Sequence, residues 1–153
     1  MTASPGKPRI VVGVDGSAPS QEALRWAAQF ADMFGAQLDI VTAWEYPPSY
    51  GWAAIAPEWD PAQDMRKVLG DAAHAVFGDR QPDGIQLIVR EGGPAKVLLD
   101  ASQNAVMLVV GSRGHGGFAG LLLGSVSANV AEHASCPVFI VHGDQLPPPR
   151  RAA

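Results

Sequence analysis

Six glycines, Gly111, Gly114, Gly116, Gly117, Gly120 and Gly124, stand between an apolar run ending at Val110 and a helical pattern opening at Ser125. A strand-to-helix connection usually takes about 2–6 residues, so a stretch this long needs a reason. Glycine lets the backbone approach a ligand closely and turn its N–H groups inward. A helix N-terminus adds unpaired N–H donors and a positive dipole end, and the two together suit an anion such as phosphate. Ser125 is the expected N-cap of that helix. Arg113, and His115 when protonated, would add positive charge. The competing reading is that the glycines only make a compliant loop, and the strand before them and the capped helix after them weigh against it.

A second acidic turn, Gly13-Val14-Asp15-Gly16-Ser17, closes another apolar run. Asp15 either caps the helix that follows or faces a ligand, and the two roles can coexist. The remaining chemistry-bearing residues form no site. His74 and His133 fall on helical patterns, and His142 ends a strand pattern. No HxxxH or CxxC pair supports a structural metal site. There is no GxSxG elbow, and Cys136 sits just before a strand, where a structural thiol is the expected role. The glycine stretch is not a Walker loop, which needs Gly-Lys-Ser/Thr before its helix, because Leu123-Gly124-Ser125 contains no lysine. Gly114, Gly116 and Ala119 match the dinucleotide fingerprint only formally, three residues past the strand end.

The elements that must hold these two turns alternate. Apolar β-branched runs at 9–14, 38–44, 85–89, 105–110 and 137–141 read as strands. Between them, 17–34, 60–77, 94–102 and 125–134 carry apolar residues three or four apart and read as helices. Ser17 or Ser20 can cap the first helix, Pro19 fits its first turn and Gly35 its close; Asp60 and Pro61 open the second and Gly78 follows it. The run at 105–110 is uninterrupted by polar residues, which points to a strand covered on both faces. Five strands alternating with four helices predict an α/β fold with a mostly parallel, open sheet. In such sheets ligands sit beyond the carboxyl ends of the strands, where strand order reverses. Residues 46–61, with Tyr46, Tyr50, Trp52 and Trp59, read as a long connector or as a cover over that end.

Size and charge narrow the class. A chain of 153 residues fits one domain. Residues 9–142 are expected to form it, with residues 1–8 and the Pro/Arg-rich tail 143–153 disordered. A formal net charge of −4 argues against nucleic acid as a partner. No apolar run reaches the roughly 18 residues of a membrane span. The opening MTASPGKPRI lacks the apolar core of a signal peptide, and the single cysteine permits no internal disulfide. A cytoplasmic location is expected.

The glycine stretch resembles that of the universal stress protein family. Its nucleotide-binding members carry a glycine, two residues, a glycine, nine residues, a glycine, then serine or threonine. Gly111, Gly114, Gly124 and Ser125 stand at that spacing. Val12-Gly13-Val14-Asp15-Gly16-Ser17 looks like the family's first strand and acidic turn, and Leu108 to Gly114 like its fourth strand. Leu123 to Ser127, Cys136-Pro137-Val138 and Ile140-Val141 look like its closing helix and strand. The resemblance covers roughly residues 8–142.

It implies an open five-stranded parallel sheet of order 3-2-1-4-5 with helices on both faces, Rossmann-like, which makes strands one and four neighbours. It implies ATP or another adenine nucleotide as ligand, with Mg²⁺ as a possible companion, and slow hydrolysis at most. By the resemblance Asp15, beside Gly13, faces the ribose, and the backbone of Ala43 meets adenine. Gly111 and Gly114, with Ser112, Arg113, His115, Gly116 and Gly117 around them, pack against ribose and phosphates; Gly124 and Ser125 hold the outer phosphates. It also implies a homodimer through the last strand, Pro137–Val141. From Gly116 to Leu123 the chain has no Lys or Arg. Phosphate would therefore depend on backbone donors, Arg113, the helix dipole and a divalent cation. Two other functions fit the same alternation: a nucleotidyl-transferring or pyrophosphate-cleaving enzyme, and a scaffold with an empty crevice.

Overall fold

A computed structural model describes residues 6–46, 59–113, 123–142 and 146–148. Nine elements follow in strict alternation: β1 (Arg9–Gly13), α1 (Ala18–Phe34), β2 (Gln37–Trp44), α2 (Pro61–Phe77), β3 (Ile85–Glu91), α3 (Pro94–Ala101), β4 (Met107–Gly111), α4 (Ser125–His133) and β5 (Val138–Val141). The strands form one sheet in the order β3-β2-β1-β4-β5. All four pairings are parallel. This is the architecture expected from the alternation and the resemblance.

Strand periodicity sorts the core into two layers. Ile10, Val12, Leu38, Ile40 and Val109 point to one face and pack with Ala23, Leu24 and Ala27 of α1 and Leu69, Ala72 and Ala73 of α2. Val11, Val41, Leu108 and Val110 point to the other and pack with Val97, Leu98 and Ala101 of α3 and Val130 of α4. Strands buried on both faces need continuous apolar runs, which is why β1 and β4 show no polar alternation. On the first face Phe139 of β5 meets Trp26 at 5.4 Å and Phe30 at 4.9 Å between ring centroids, sealing α1 against the sheet edge.

Helix boundaries follow local chemistry. Ser17 caps α1, with its Oγ accepting from Ser20 N, and Gly35 ends it in the left-handed conformation at φ 60°. Asp60 caps α2 and Pro61 occupies its first turn. One expectation is corrected: the N-cap of α4 is Gly124, and Ser125 is its first helical residue. Gly124 holds the extended conformation, φ −71° and ψ 170°, that an N-cap requires, and no side chain caps the helix.

At the amino ends of the strands Arg9 binds the layers together. Its Nη1 lies 3.2 Å from Asp39 Oδ2 and donates to the Ala101 carbonyl at 2.7 Å, while Nη2 donates to the Gln103 carbonyl at 2.6 Å. That leaves the carboxyl ends as the polar, irregular end of the sheet.

Candidate functional site

At the carboxyl end, β1 and β4 lie side by side, with Val12 opposite Val109. The chain leaves both strands at the same level, so the acidic turn after Gly13 and the start of the glycine stretch, Gly111 to Arg113, share one mouth. β2 flanks it, with Val41 opposite Gly13 and Val14 N–H donating to the Val41 carbonyl at 2.9 Å. Ala43 lies two residues further along β2. The structure thus brings Gly13, Asp15, Ala43, Gly111, Ser112, Arg113, Gly124 and Ser125 to one end of the sheet. Gly114, His115, Gly116 and Gly117 lie outside the described residues, as does most of the 46–61 connector.

The two turns are built alike. After β1, Asp15 Oδ1 accepts from Ser17 N at 2.9 Å and from the Ser17 hydroxyl, and Gly16 takes φ 84° between them. A side chain at Gly16 would be strained in that conformation. Ser20, third residue of α1, donates its hydroxyl to the Ser17 carbonyl at 3.0 Å and accepts from Asp15 N at 3.2 Å. After β4, Ser112 N donates to the Val141 carbonyl at 2.8 Å, and its carbonyl accepts from Gly124 N at 2.7 Å. Ser127, third residue of α4, places its hydroxyl 2.8 Å from that same Ser112 carbonyl and 3.2 Å from the Gly124 carbonyl. Ser112 and Gly124 therefore close the base of the glycine stretch, with residues 113–123 between them.

This closure aims the α4 N-terminus at the mouth. Among the described residues, none accepts from the N–H groups of Ser125, Val126 or Ser127. Asp15, Arg113 and Ser125 are exposed around the mouth, Gly13, Ala43 and Gly111 are half-buried, and Ser112 and Gly124 are buried. Asp15 is both a cap-supporting residue and a carboxylate at the rim, so its two sequence readings coexist. The missing side chains of the half-buried glycines have structural neighbours: Pro19 stands where a Cβ of Gly111 would go, and Leu98 where one of Gly13 would go.

Neither Ser20 nor Ser127 carries a ligand role in the sequence reading, where Ser20 is only the alternative cap of the first helix; the structure gives that cap to Ser17. Each is a serine on the buried face of a helix, three residues after the N-cap, 5% and 3% exposed. That position, in a stripe otherwise made of Ala, Leu and Val, is the one mark they carry in the sequence, and it does not name their partners.

Elsewhere, a concavity of about 700 Å³ lies between the carboxyl-terminal halves of α1 and α2, at the opposite end of the sheet. Its charges balance, Lys7 and Arg25 against Asp32 and Asp83. Among the described residues no group of three or more His, Cys, Asp or Glu could hold a metal ion by itself. No helix among them is long and apolar enough to cross a membrane.

The model of the universal stress protein family matches residues 8–142. The chain belongs to that family. A universal stress protein of Mycolicibacterium smegmatis is 35% identical over 145 residues, which cover 88% of this chain and 48% of the relative. One from Mycobacterium tuberculosis is 35% identical over 137 residues, 89% of this chain and 46% of the relative. The chain spans about half the length of these curated relatives. Among solved structures, a universal stress protein in complex with cAMP is 33% identical, with a TM-score of 0.66 over 89% of this chain and 97% of that one. The universal stress protein UspA of Lactobacillus plantarum shares the fold at a TM-score of 0.73 and 19% identity, over 88% of this chain and 97% of that one.

Proposed function

We propose that this universal stress protein domain binds an adenine nucleotide across the carboxyl ends of β1 and β4, in a regulatory or stress-tolerance role. The observation that carries the reading is the N-terminus of α4, whose first N–H groups find no acceptor among the described residues, docked by the Gly124–Ser112 hydrogen bond onto the end of β4. Such donors suit phosphate. Asp15, at the adjacent strand end, is the acceptor for ribose hydroxyls, and the half-buried end of β2 at Ala43 is the place for the base. The 33% identical relative solved with cAMP supports an adenine ligand on this fold.

ATP is the leading ligand, because the spacing of Gly111, Gly114, Gly124 and Ser125 is that of the nucleotide-binding type. Mg²⁺ would be held chiefly by the phosphates; the exposed carboxylate of Asp15 and hydroxyl of Ser125 are the hard oxygen donors at the mouth. Hydrolysis is slow at most, since no side chain in the reading has the role of a catalytic base. The domain works as a cytoplasmic homodimer through β5. A second reading is favoured by the absence of Lys and Arg from Gly116 to Leu123: a ligand with one phosphate, AMP or cAMP, in place of ATP.

Calorimetry with ATP, ADP, AMP and cAMP, with and without magnesium, tests both. Binding is expected in the low micromolar to sub-millimolar range, roughly −5 to −8 kcal/mol. Tighter binding of AMP or cAMP than of ATP would select the second reading. No heat with any of the four at millimolar concentration would remove the nucleotide and leave a scaffold.

A further inference from the structure

The two loops at the mouth are held by the same device. A buried serine at the third position of the following helix bonds the helix's own N-cap carbonyl and, across the loop, a backbone group at the end of the preceding strand. In α1 the pair is Ser20 with the Ser17 carbonyl and the Asp15 N–H. In α4 the single hydroxyl proton of Ser127 goes chiefly to the Ser112 carbonyl at 2.8 Å, with the Gly124 carbonyl, its alternative acceptor, at 3.2 Å, whereas Ser20 donates to one group and accepts from the other. We infer that Ser20 and Ser127 are positioning residues for the nucleotide, Ser20 for the ribose side and Ser127 for the phosphate side. This rests on the nucleotide reading above and adds to it how the site keeps its shape without a ligand.

The physical case is one of preorganisation. Nine residues separate Gly114 from Gly124, so the donors of α4 have no short covalent tether to β4. Val130 packs the body of α4 onto the sheet and α3, and at its N-terminus the Gly124–Ser112 and Ser127–Ser112 bonds tie the helix to the end of β4. A site whose donors are fixed beforehand loses less conformational entropy on binding than one that orders around its ligand. Both hydroxyls are almost wholly shielded from water, so each replaces a solvent contact that the strand end could not otherwise make. Neither serine reaches the exposed rim, which separates them from residues that touch the ligand. The two clamps act on different parts. Ser20 fixes the backbone of Asp15, whose carboxylate serves the ribose. Ser127 fixes the angle between β4 and α4, which sets where the phosphate donors point.

The test compares wild type, Ser20→Ala and Ser127→Ala in calorimetric titrations with adenosine, AMP and ATP. Ser127→Ala should weaken AMP and ATP about three- to tenfold, the loss expected for one ordering hydrogen bond, and leave adenosine within about twofold. Ser20→Ala should weaken adenosine, AMP and ATP alike. Equal weakening of adenosine and AMP by Ser127→Ala, or no weakening of either, overturns the inference. Wild type that binds none of the three overturns the nucleotide reading, and the positioning role with it; wild type that binds with unselective variants overturns the positioning role alone. Should an alanine variant not fold, hydrogen exchange of the wild-type apo protein decides. Gly124 and Asp15 amides protected like those of β4 support preformed clamps, and exchange at open-loop rates overturns them.

Discussion

A methyl group on Gly111 would stand 2.9 Å from both the carbonyl carbon and the carbonyl oxygen of Pro19. The first turn of α1 occupies the space that any side chain at the end of β4 would need. Close approach of helix to strand there is part of the fold, whatever the backbone of Gly111 offers a ligand. Gly13 differs. A methyl there would meet Leu98 Cδ1 at 2.8 Å, the far end of a side chain that can turn away. Gly111→Ala should therefore cost the apo protein about 1–3 kcal/mol, the usual range for overpacking, and Gly13→Ala about 1 kcal/mol or less. Chemical denaturation of both variants without ligand checks this. Equal stabilities would place the need for Gly111 in the ligand site.

Arg9 and Asp39 make the costliest ion pair to break. Asp39 is buried, its Oδ2 held by Arg9 at 3.2 Å and its Oδ1 without a partner among the described residues. Removing the guanidinium leaves a buried carboxylate with no counter-charge and frees the Ala101 and Gln103 carbonyls. Arg9→Met should lower stability by about 3 kcal/mol. Lys67→Ala and Lys96→Ala break exposed pairs with Asp71 and Asp100 on helix surfaces and should cost no more than about 0.5 kcal/mol. Urea denaturation of the three variants gives the comparison. A loss at Arg9 no larger than at the lysines would show that Asp39 is relieved by other means.

Much of this was legible before the structure. Hydrophobic runs of five to seven residues and helical spacing located all nine elements, because strands and helices buried against one sheet leave strong periodic signals. β3 runs on to Arg90 and Glu91, polar residues that an edge strand tolerates. The capping error at Ser125 has a definite cause. Serine is the better N-cap by propensity, but the Gly124–Ser112 bond sets where α4 begins, and tertiary contact overrides the local preference. Ser20 and Ser127 were invisible for a related reason. A serine in an apolar stripe carries no sign of its partner, and the partners lie on strand ends that only the fold brings near.

Asp15 lends itself to separating fold from binding. Its Oδ1 accepts from the N–H and the hydroxyl of Ser17, and asparagine keeps that oxygen while losing the charge. Asp15→Asn should lower the stability of the apo protein by about 0.5–1 kcal/mol, because both bonds from Ser17 and the helix N-terminus lose their negative charge. It should weaken adenosine and AMP by about tenfold or more, because a hydrogen bond to a carboxylate is stronger than one to an amide. Thermal melts and titrations of the same preparation check both halves. Unchanged affinity would confine Asp15 to its turn.

The homodimer proposed through β5 makes a backbone prediction. The Pro137 carbonyl accepts from Leu108 N and the Val141 carbonyl from Ser112 N, so residues 137, 139 and 141 turn their polar groups toward β4. In a parallel pair the intervening residues turn theirs the other way. Val138 and Ile140 therefore offer N–H and C=O to the open edge. Phe139 packs on Trp26 and Phe30, Val138 and Ile140 pack on the α3–α4 side, and Val141 is buried. As the proposed interface, the edge would act through backbone groups that have no partner among the described residues more than through its side chains, and a second β5, antiparallel about a two-fold axis, would satisfy them in a closed contact. Ile140→Pro deletes one outward N–H and none that bonds β4. Proline is tolerated on an edge strand when its missing N–H faces outward. Light scattering at tens of micromolar should find a wild-type dimer and an Ile140→Pro monomer with unchanged far-ultraviolet circular dichroism. A monomeric wild type, or a dimer indifferent to the proline, would remove β5 as the interface.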